Sequence, residues 1–264
     1  MNFDQFEAKT ILRDIARRRL AIPMRSGLVG KIMGGMPYVP MSARRLIRAS
    51  SRLSQGDWLA RLAVAAGEYA SGGPIHVVEL GTGIGISGMY LLAGMSQAGG
   101  GHLTSFEGEQ TFAELAKYHF ERLLRTHSLT NVTFDIRIGN FQQTVARFLR
   151  SDFPRVDLAF IDGPRDEAST LAYHKTMKTC MSESGVIVHD DIAWSEEMHR
   201  AWSKIRALEK CRTIEFFLGN RPSRGVLLLG EKQTGSIEQY HFDGRMERIL
   251  RQARFWLAGG GWPN

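Results

Sequence analysis

A chain of 264 residues with 43% hydrophobic side chains can bury the core of one large α/β domain, and it is too apolar to be disordered. Its two cysteines, Cys180 and Cys211, exclude a disulfide framework and a zinc cluster and point to a reducing cytoplasm. The net charge of +7 is concentrated: residues 1–56 carry 11 Lys/Arg against 3 Asp/Glu, and the remainder is close to neutral.

Residues 1–55 form a basic N-terminal segment without a regular pattern. A helix is expected over about 3–20, with Asp4 and Glu7 where a signal peptide would be basic and then apolar. Pro23 to Pro40 is rich in Gly, Pro and Met and reads as a loop or lid. Arg17, Arg18, Arg19, Arg44, Arg45 and Arg48 fit a solvated face on a dimerisation arm. They equally fit contact with an anionic membrane, an acidic substrate or an acidic partner. No recognition module or stacking aromatic motif accompanies the charge, so nucleic acid is not the expected partner. No run approaches the ~18 apolar residues of a membrane span.

From residue 56 to 230 the pattern is a single α/β domain. A helix near 56–70 ends at Ser71-Gly72-Gly73-Pro74. Apolar strands then follow at Ile75–Leu80, Leu103–Glu107, Val132–Ile136, Val156–Ile161 and Val186–His189. Helices near 86–95, 110–126, 141–150, 166–181 and 194–208 come after them in turn. Buried strands alternating with helices predict a doubly wound, Rossmann-like parallel sheet. Thr213–Leu218 and Val226–Leu229 lack a helix between them, so residues 219–225 are read as a loop and the sheet as closing on an antiparallel hairpin. Seven strands result. Residues 231–264 are read as a tail with an amphipathic helix near 243–257, docked on the domain or on a second copy, or lying on a membrane surface.

Four motifs carry chemistry. In Val77-Val78-Glu79-Leu80-Gly81-Thr82-Gly83-Ile84-Gly85 a strand runs through glycines into a helix. Gly81, Gly83 and Gly85 allow a ligand close to the backbone, and Glu79 ahead of them suits an amino-acid cofactor better than a pyrophosphate. Glu107 ends the next strand, where an acid can bond both hydroxyls of a ribose. Gly139-Asn140 follows the third strand, at the expected edge of an adenine. Asp162 closes the fourth strand, and Asp190 and Asp191 close the fifth. Parallel neighbours lie about 4.8 Å apart, so three carboxylates can converge there on Mg²⁺ or Mn²⁺. The bland alternative is that Asp190 or Asp191 caps the following helix.

Together these residues resemble the S-adenosylmethionine-dependent class I methyltransferases over roughly residues 56–230, and among them the macrocin- and catechol-type O-methyltransferases of bacteria. The resemblance implies S-adenosylmethionine held by Glu79, Gly81, Gly83, Gly85, Glu107, Gly139 and Asn140. It implies a divalent metal on Asp162, Asp190 and Asp191, and Asp162 as base, with His189 as a helper or a satisfied buried histidine. The acceptor would be a hydroxylated small molecule or sugar, anionic if the basic segment meets it. Catechol-type members place a basic lysine three residues after the first Asp. Here that residue is Arg165, which cannot deprotonate near neutral pH. An NAD(P)-dependent oxidoreductase and a non-catalytic cofactor-binding module are the rival readings.

Overall fold

The computed structural model describes residues 22–24, 39–41, 53–69, 73–150, 155–218, 220–232 and 237–241. A short antiparallel pair, β1 (Ile22–Met24) and β2 (Val39–Met41), lies inside the segment read as irregular. Helix α1 (Leu53–Tyr69) leads into the main domain. There β3 (Ile75–Leu80), α2 (Ile86–Gln97), β4 (Gly101–Glu107), α3 (Gln110–Thr126), β5 (Val132–Ile138) and α4 (Phe141–Leu149) alternate. The second half adds β6 (Val156–Ile161), α5 (Glu167–Lys178), β7 (Met181–His189), α6 (Glu196–Leu208), β8 (Cys211–Leu218), β9 (Arg221–Lys232) and β10 (Glu238–His241). The expected helices near 3–20 and 243–257, like the 27–38 stretch of the lid reading, lie outside the described residues.

The sheet order is β10-β8-β9-β7-β6-β3-β4-β5. Every pairing is parallel except those of β9, which runs antiparallel to both β7 and β8. The sheet therefore has eight strands and not seven. The additional one, β10, falls in the stretch read as a helical tail. It is four residues long, and its polar side chains leave no apolar alternation to read: Glu238 bonds Arg212, and the Tyr240 ring lies 5.8 Å from Phe216. The hairpin is also tighter than expected. Leu218 pairs directly with Arg221, so most of 219–225 belongs to β9.

Alternation along each strand divides the core between two faces. Val77, Leu158, Phe160, Val186 and Val188 pack under α1, α2 and α3. Val78, Leu80, Ala159, Ile161 and Ile187 pack under α4, α5 and α6. Three helix starts are fixed by side-chain caps: Asn140 accepts from the Gln143 amide, Asp166 from Ser169 and Ser195 from Met198. The carboxylates of Asp162, Asp190 and Asp191 are thus not spent on capping.

The order turns back between β3 and β6, which opens a crevice beyond the carboxyl ends of those strands. Helix α1 starts on the same rim. Its Trp58 ring lies against Arg224 near the start of β9, and its Tyr69 hydroxyl borders Gly230 farther along that strand. Because β10 is parallel to β8, it too ends on this rim. Among the described residues no helix is long and apolar enough to cross a membrane.

Candidate active site

The crevice is built from the ends of β3, β4, β6 and β7. Gly81 leaves β3 with φ +94°, and a Cβ there would collide with the carbonyl oxygen of Asp162. Only glycine satisfies both demands, so this residue sets the glycine loop directly against the end of β6. Gly83, at φ +54°, has nothing within 4 Å of its absent Cβ. That side of the loop is open, as a bound ligand requires.

The loop is held by its own chain. The amides of Gly81 and Thr82 donate to the Phe106 carbonyl, and Gly85 donates to Thr82. His119 Nδ1 sits 2.6 Å from the Ile84 carbonyl. Glu79 is fully buried and accepts hydroxyl bonds from Ser87 (2.5 Å), Ser105 (2.8 Å) and Thr82 (3.1 Å). Burial raises its pKa against those three donors. Its visible work is to tie β3, β4 and α2 together beneath the loop. The three hydroxyls carry no sequence signal of their own.

Glu107 ends β4 with its carboxylate under the loop. Its Oε2 accepts from the Gly83 amide at 2.7 Å, and its Oε1 from the Glu109 amide at 3.0 Å. Burial raises its pKa, opposed by these amides. Gly139 takes φ +131° and donates its amide to the Glu107 carbonyl, while Asn140 caps α4. The glycine loop, Glu107 and the Gly139-Asn140 turn thus stand side by side along one rim. An acid oriented under an open glycine loop suits the ribose and amino-acid ends of S-adenosylmethionine.

The three aspartates do come together, but they arrive with two arginines. Arg165 donates from Nε to Asp191 Oδ2 at 2.5 Å and from Nη2 to Asp162 Oδ1 at 3.2 Å. Arg224, fully buried, donates from Nε to Asp190 Oδ1 at 2.7 Å. Its guanidinium lies 5.2 Å from the Trp58 ring and 5.3 Å from Phe160. Burial and then the neighbouring Asp190 push Asp162 well above the usual carboxylate range, against the pull of Arg165. The same causes raise Asp191. The loop behind them is pinned: Asp190 donates its amide to Ile161, Ile192 to Ser223 and Trp194 to Asp191. Asp191 itself holds φ +53°, and Trp194 is 69% exposed beside Arg165.

This arrangement does not fit the expected divalent metal. A hard cation needs several oxygens aimed at one point, and each aspartate already gives an oxygen to a guanidinium. Among the described residues, no group of three or more His, Cys, Asp and Glu is placed to hold a metal. Arg224 went unnoticed in sequence because it sits among turn-forming residues, and its partner Asp190 is 34 residues away.

His189 points to the opposite face of the sheet from Asp190. It is buried, with Nε2 at 3.1 Å from His174 Nδ1 and with Nδ1 unpartnered. His174 Nε2 faces Glu209 at 3.1 Å, and Glu209 also pairs with Lys178. A carboxylate only accepts, so His174 carries its proton on Nε2 and accepts from His189 on Nδ1. His189 is a member of this structural chain, and His174 was not legible as its partner.

Comparison with known proteins agrees with the geometry. The family model of a methyltransferase domain matches residues 78–192, which span the glycine loop, Glu107 and the three aspartates. An O-methyltransferase from Bacillus cereus, solved in complex with SAH, superposes with TM-score 0.58 at 17% identity, covering 85% of this chain and 96% of that one. TomG from Streptomyces achromogenes, an O-methyltransferase of tomaymycin synthesis solved with SAM, gives TM-score 0.53 at 17% identity over 83% and 90% of the two chains. CalS11, a TDP-rhamnose 3'-O-methyltransferase, gives TM-score 0.54 at 14% identity over 86% and 96%. No curated protein matches the sequence. Residues 78–192 are thus similar to a methyltransferase domain, and the fold around them is that of these solved O-methyltransferases.

Proposed function

We propose that this chain transfers a methyl group from S-adenosylmethionine to a hydroxyl of a small molecule or sugar, with Asp162 as the proton acceptor. The observation that supports the reading is the close approach of Gly81 to the Asp162 backbone carbonyl, which sets the glycine loop beside the end of β6, where Asp162 follows. S-adenosylmethionine, when bound, supplies a methyl group on a good leaving group. Glu107 holds the ribose, and the open face at Gly83 admits the amino-acid end. Glu79 acts from beneath by fixing the loop, and Gly139-Asn140 borders the adenine.

The acceptor oxygen must stand in line with the methyl group, which is catalysis by positioning. Bound S-adenosylmethionine would supply the methyl group and keep the electron pair of the broken S–CH₃ bond on sulfur, and Asp162 would take the proton that the acceptor hydroxyl loses. A carboxylate with a raised pKa is a better acceptor for that proton than an ordinary one. Two guanidiniums facing three carboxylates leave one negative charge at the cluster, which suits a positively charged sulfonium.

The basic N-terminal segment precedes α1 in the chain, and α1 starts on the rim that bears the crevice. Residues 1–55 therefore serve as the acceptor-side cover, and an acceptor with phosphate or carboxylate groups suits their charge. Deleting residues 1–40 should leave cofactor affinity intact and abolish methylation. A truncated monomer from a native dimer, still methylating, would make the segment a dimerisation arm instead.

Calorimetry tests the donor site. The folded chain should bind S-adenosylmethionine, and Glu107→Ala should weaken it by about 1–3 kcal/mol, the range for a hydrogen bond to a buried charge. A folded wild-type protein with no affinity for the cofactor would end the reading. Labelled cofactor with a panel of hydroxylated acceptors then identifies the substrate.

A further inference from the structure

We propose that Arg165 and Arg224 take the electrostatic place of a divalent cation at the aspartate cluster, so that transfer here proceeds without a metal. The inference rests on the methyltransferase reading above and concerns how its acceptor site is charged.

The two arginines are placed differently. Arg224 is sealed in: no part of it reaches solvent, Asp190 takes its Nε, and the rings of Trp58 and Phe160 enclose the guanidinium. Such a group cannot swing aside to admit a metal without leaving a buried charge unpaired. Arg165 closes the cluster from the solvent side. One guanidinium spans Asp162 on β6 and Asp191 beyond β7, and it is itself 40% exposed. A planar fork with five donors is made for such bridging, and it keeps its charge at any working pH.

One oxygen of each carboxylate that would coordinate a cation is thus held by a fixed positive group. A second positive charge brought to the same oxygens would meet repulsion from both. The guanidinium at Arg165 also supplies what a metal would supply to an acceptor: a permanent positive charge next to the oxygen that loses its proton. Arg165 stands in the position of the basic lysine of catechol-type relatives, yet it cannot take a proton. Its role is charge and position, and the proton goes to Asp162.

Mn²⁺ binding to the full chain, followed by electron paramagnetic resonance, tests this. Wild-type protein should show no saturable Mn²⁺ site at millimolar metal. Arg165→Met, at a partly exposed position, removes one charge and frees oxygens of Asp162 and Asp191. It should raise Mn²⁺ affinity at least about tenfold, and the further change Asp162→Asn should abolish the gain. A stoichiometric Mn²⁺ site in wild type that disappears in Asp162→Asn would overturn the proposal. So would an Arg165→Met protein that gains no affinity. Calorimetry with S-adenosylmethionine on the same samples keeps the questions apart: absent cofactor binding would refute the methyltransferase reading while leaving the Mn²⁺ result interpretable.

Discussion

Replacing Arg224 with methionine should be among the most damaging single changes in the domain, although Arg224 lies in a stretch of turn-forming residues. The side chain is fully buried, and its partner Asp190 is only 10% exposed, so the pair sits beyond the screening of water. Methionine keeps most of the length and apolar contact but leaves the Asp190 carboxylate without its guanidinium. Removing one member of a buried pair costs about 3–5 kcal/mol, because the remaining charge stays desolvated. Lost contact with the Trp58 and Phe160 rings adds to this. In a domain of this size each kcal/mol lowers Tm by about 2–4 °C, so a fall of about 6–20 °C is expected. Urea unfolding of the single variant and of Arg224→Met with Asp190→Asn separates the causes. The double variant removes the orphaned charge and should recover a large part of the loss. A single variant within about 1 kcal/mol of wild type would show that burying this charge is not what makes the pair matter. A double variant as unstable as the single one would refute the same reasoning.

Three further outcomes follow from particular positions. Gly81→Ala should destabilise by more than about 2 kcal/mol, since left-handed backbone alone costs 1–2 kcal/mol and the Cβ also meets the Asp162 carbonyl. Gly83→Ala carries only the backbone cost but fills the open side of the loop, so calorimetry should find weaker cofactor binding in a protein that still folds. Equal affinity in Gly83→Ala would move the cofactor off that face. Burial holds His174 and His189 below their ordinary value of 6.5, and His174 depresses His189 further. The unfolded chain then binds protons that the folded chain refuses, so stability is full above about pH 6.5 and declines as pH falls below it. His189→Phe should flatten that decline in urea midpoints measured from pH 7 to 5, and an unchanged slope would show that this imidazole does not titrate with folding.

The alternation from β3 to β7 was legible because each strand is a short buried run between helices of ordinary length. The glycine loop and Glu107 were legible because their spacing survives in one dimension. Asp162, Asp190 and Asp191 were correctly brought to neighbouring strand ends, but their partners were not visible. Arg165 was noticed as a departure from the lysine pattern, without the bridge that gives it a purpose. Arg224 was lost because Gly219, Asn220, Pro222, Ser223 and Gly225 all favour turns, whereas Pro222, Ser223 and Gly225 lie within strand β9. An arginine immediately before the apolar run Val226–Leu229 was the available signal. Strand β10 was too short and too polar to stand out from the tail. In each case the missing information was pairing across the sheet, which local pattern does not hold.

The rim that bears the crevice is also where the described domain is entered and left, at the start of α1 and the end of β10. Among the described residues the opposite rim carries short returns from helices to strands, such as 98–100, 127–131 and 179–180. A terminal segment can therefore be lengthened or exchanged while touching none of the pairings of the eight-stranded sheet. Sequence before Leu53 and after His241 can change at that rim as an interchangeable fitting, while the charged and buried interior at Asp190 and Arg224 need never be rebuilt.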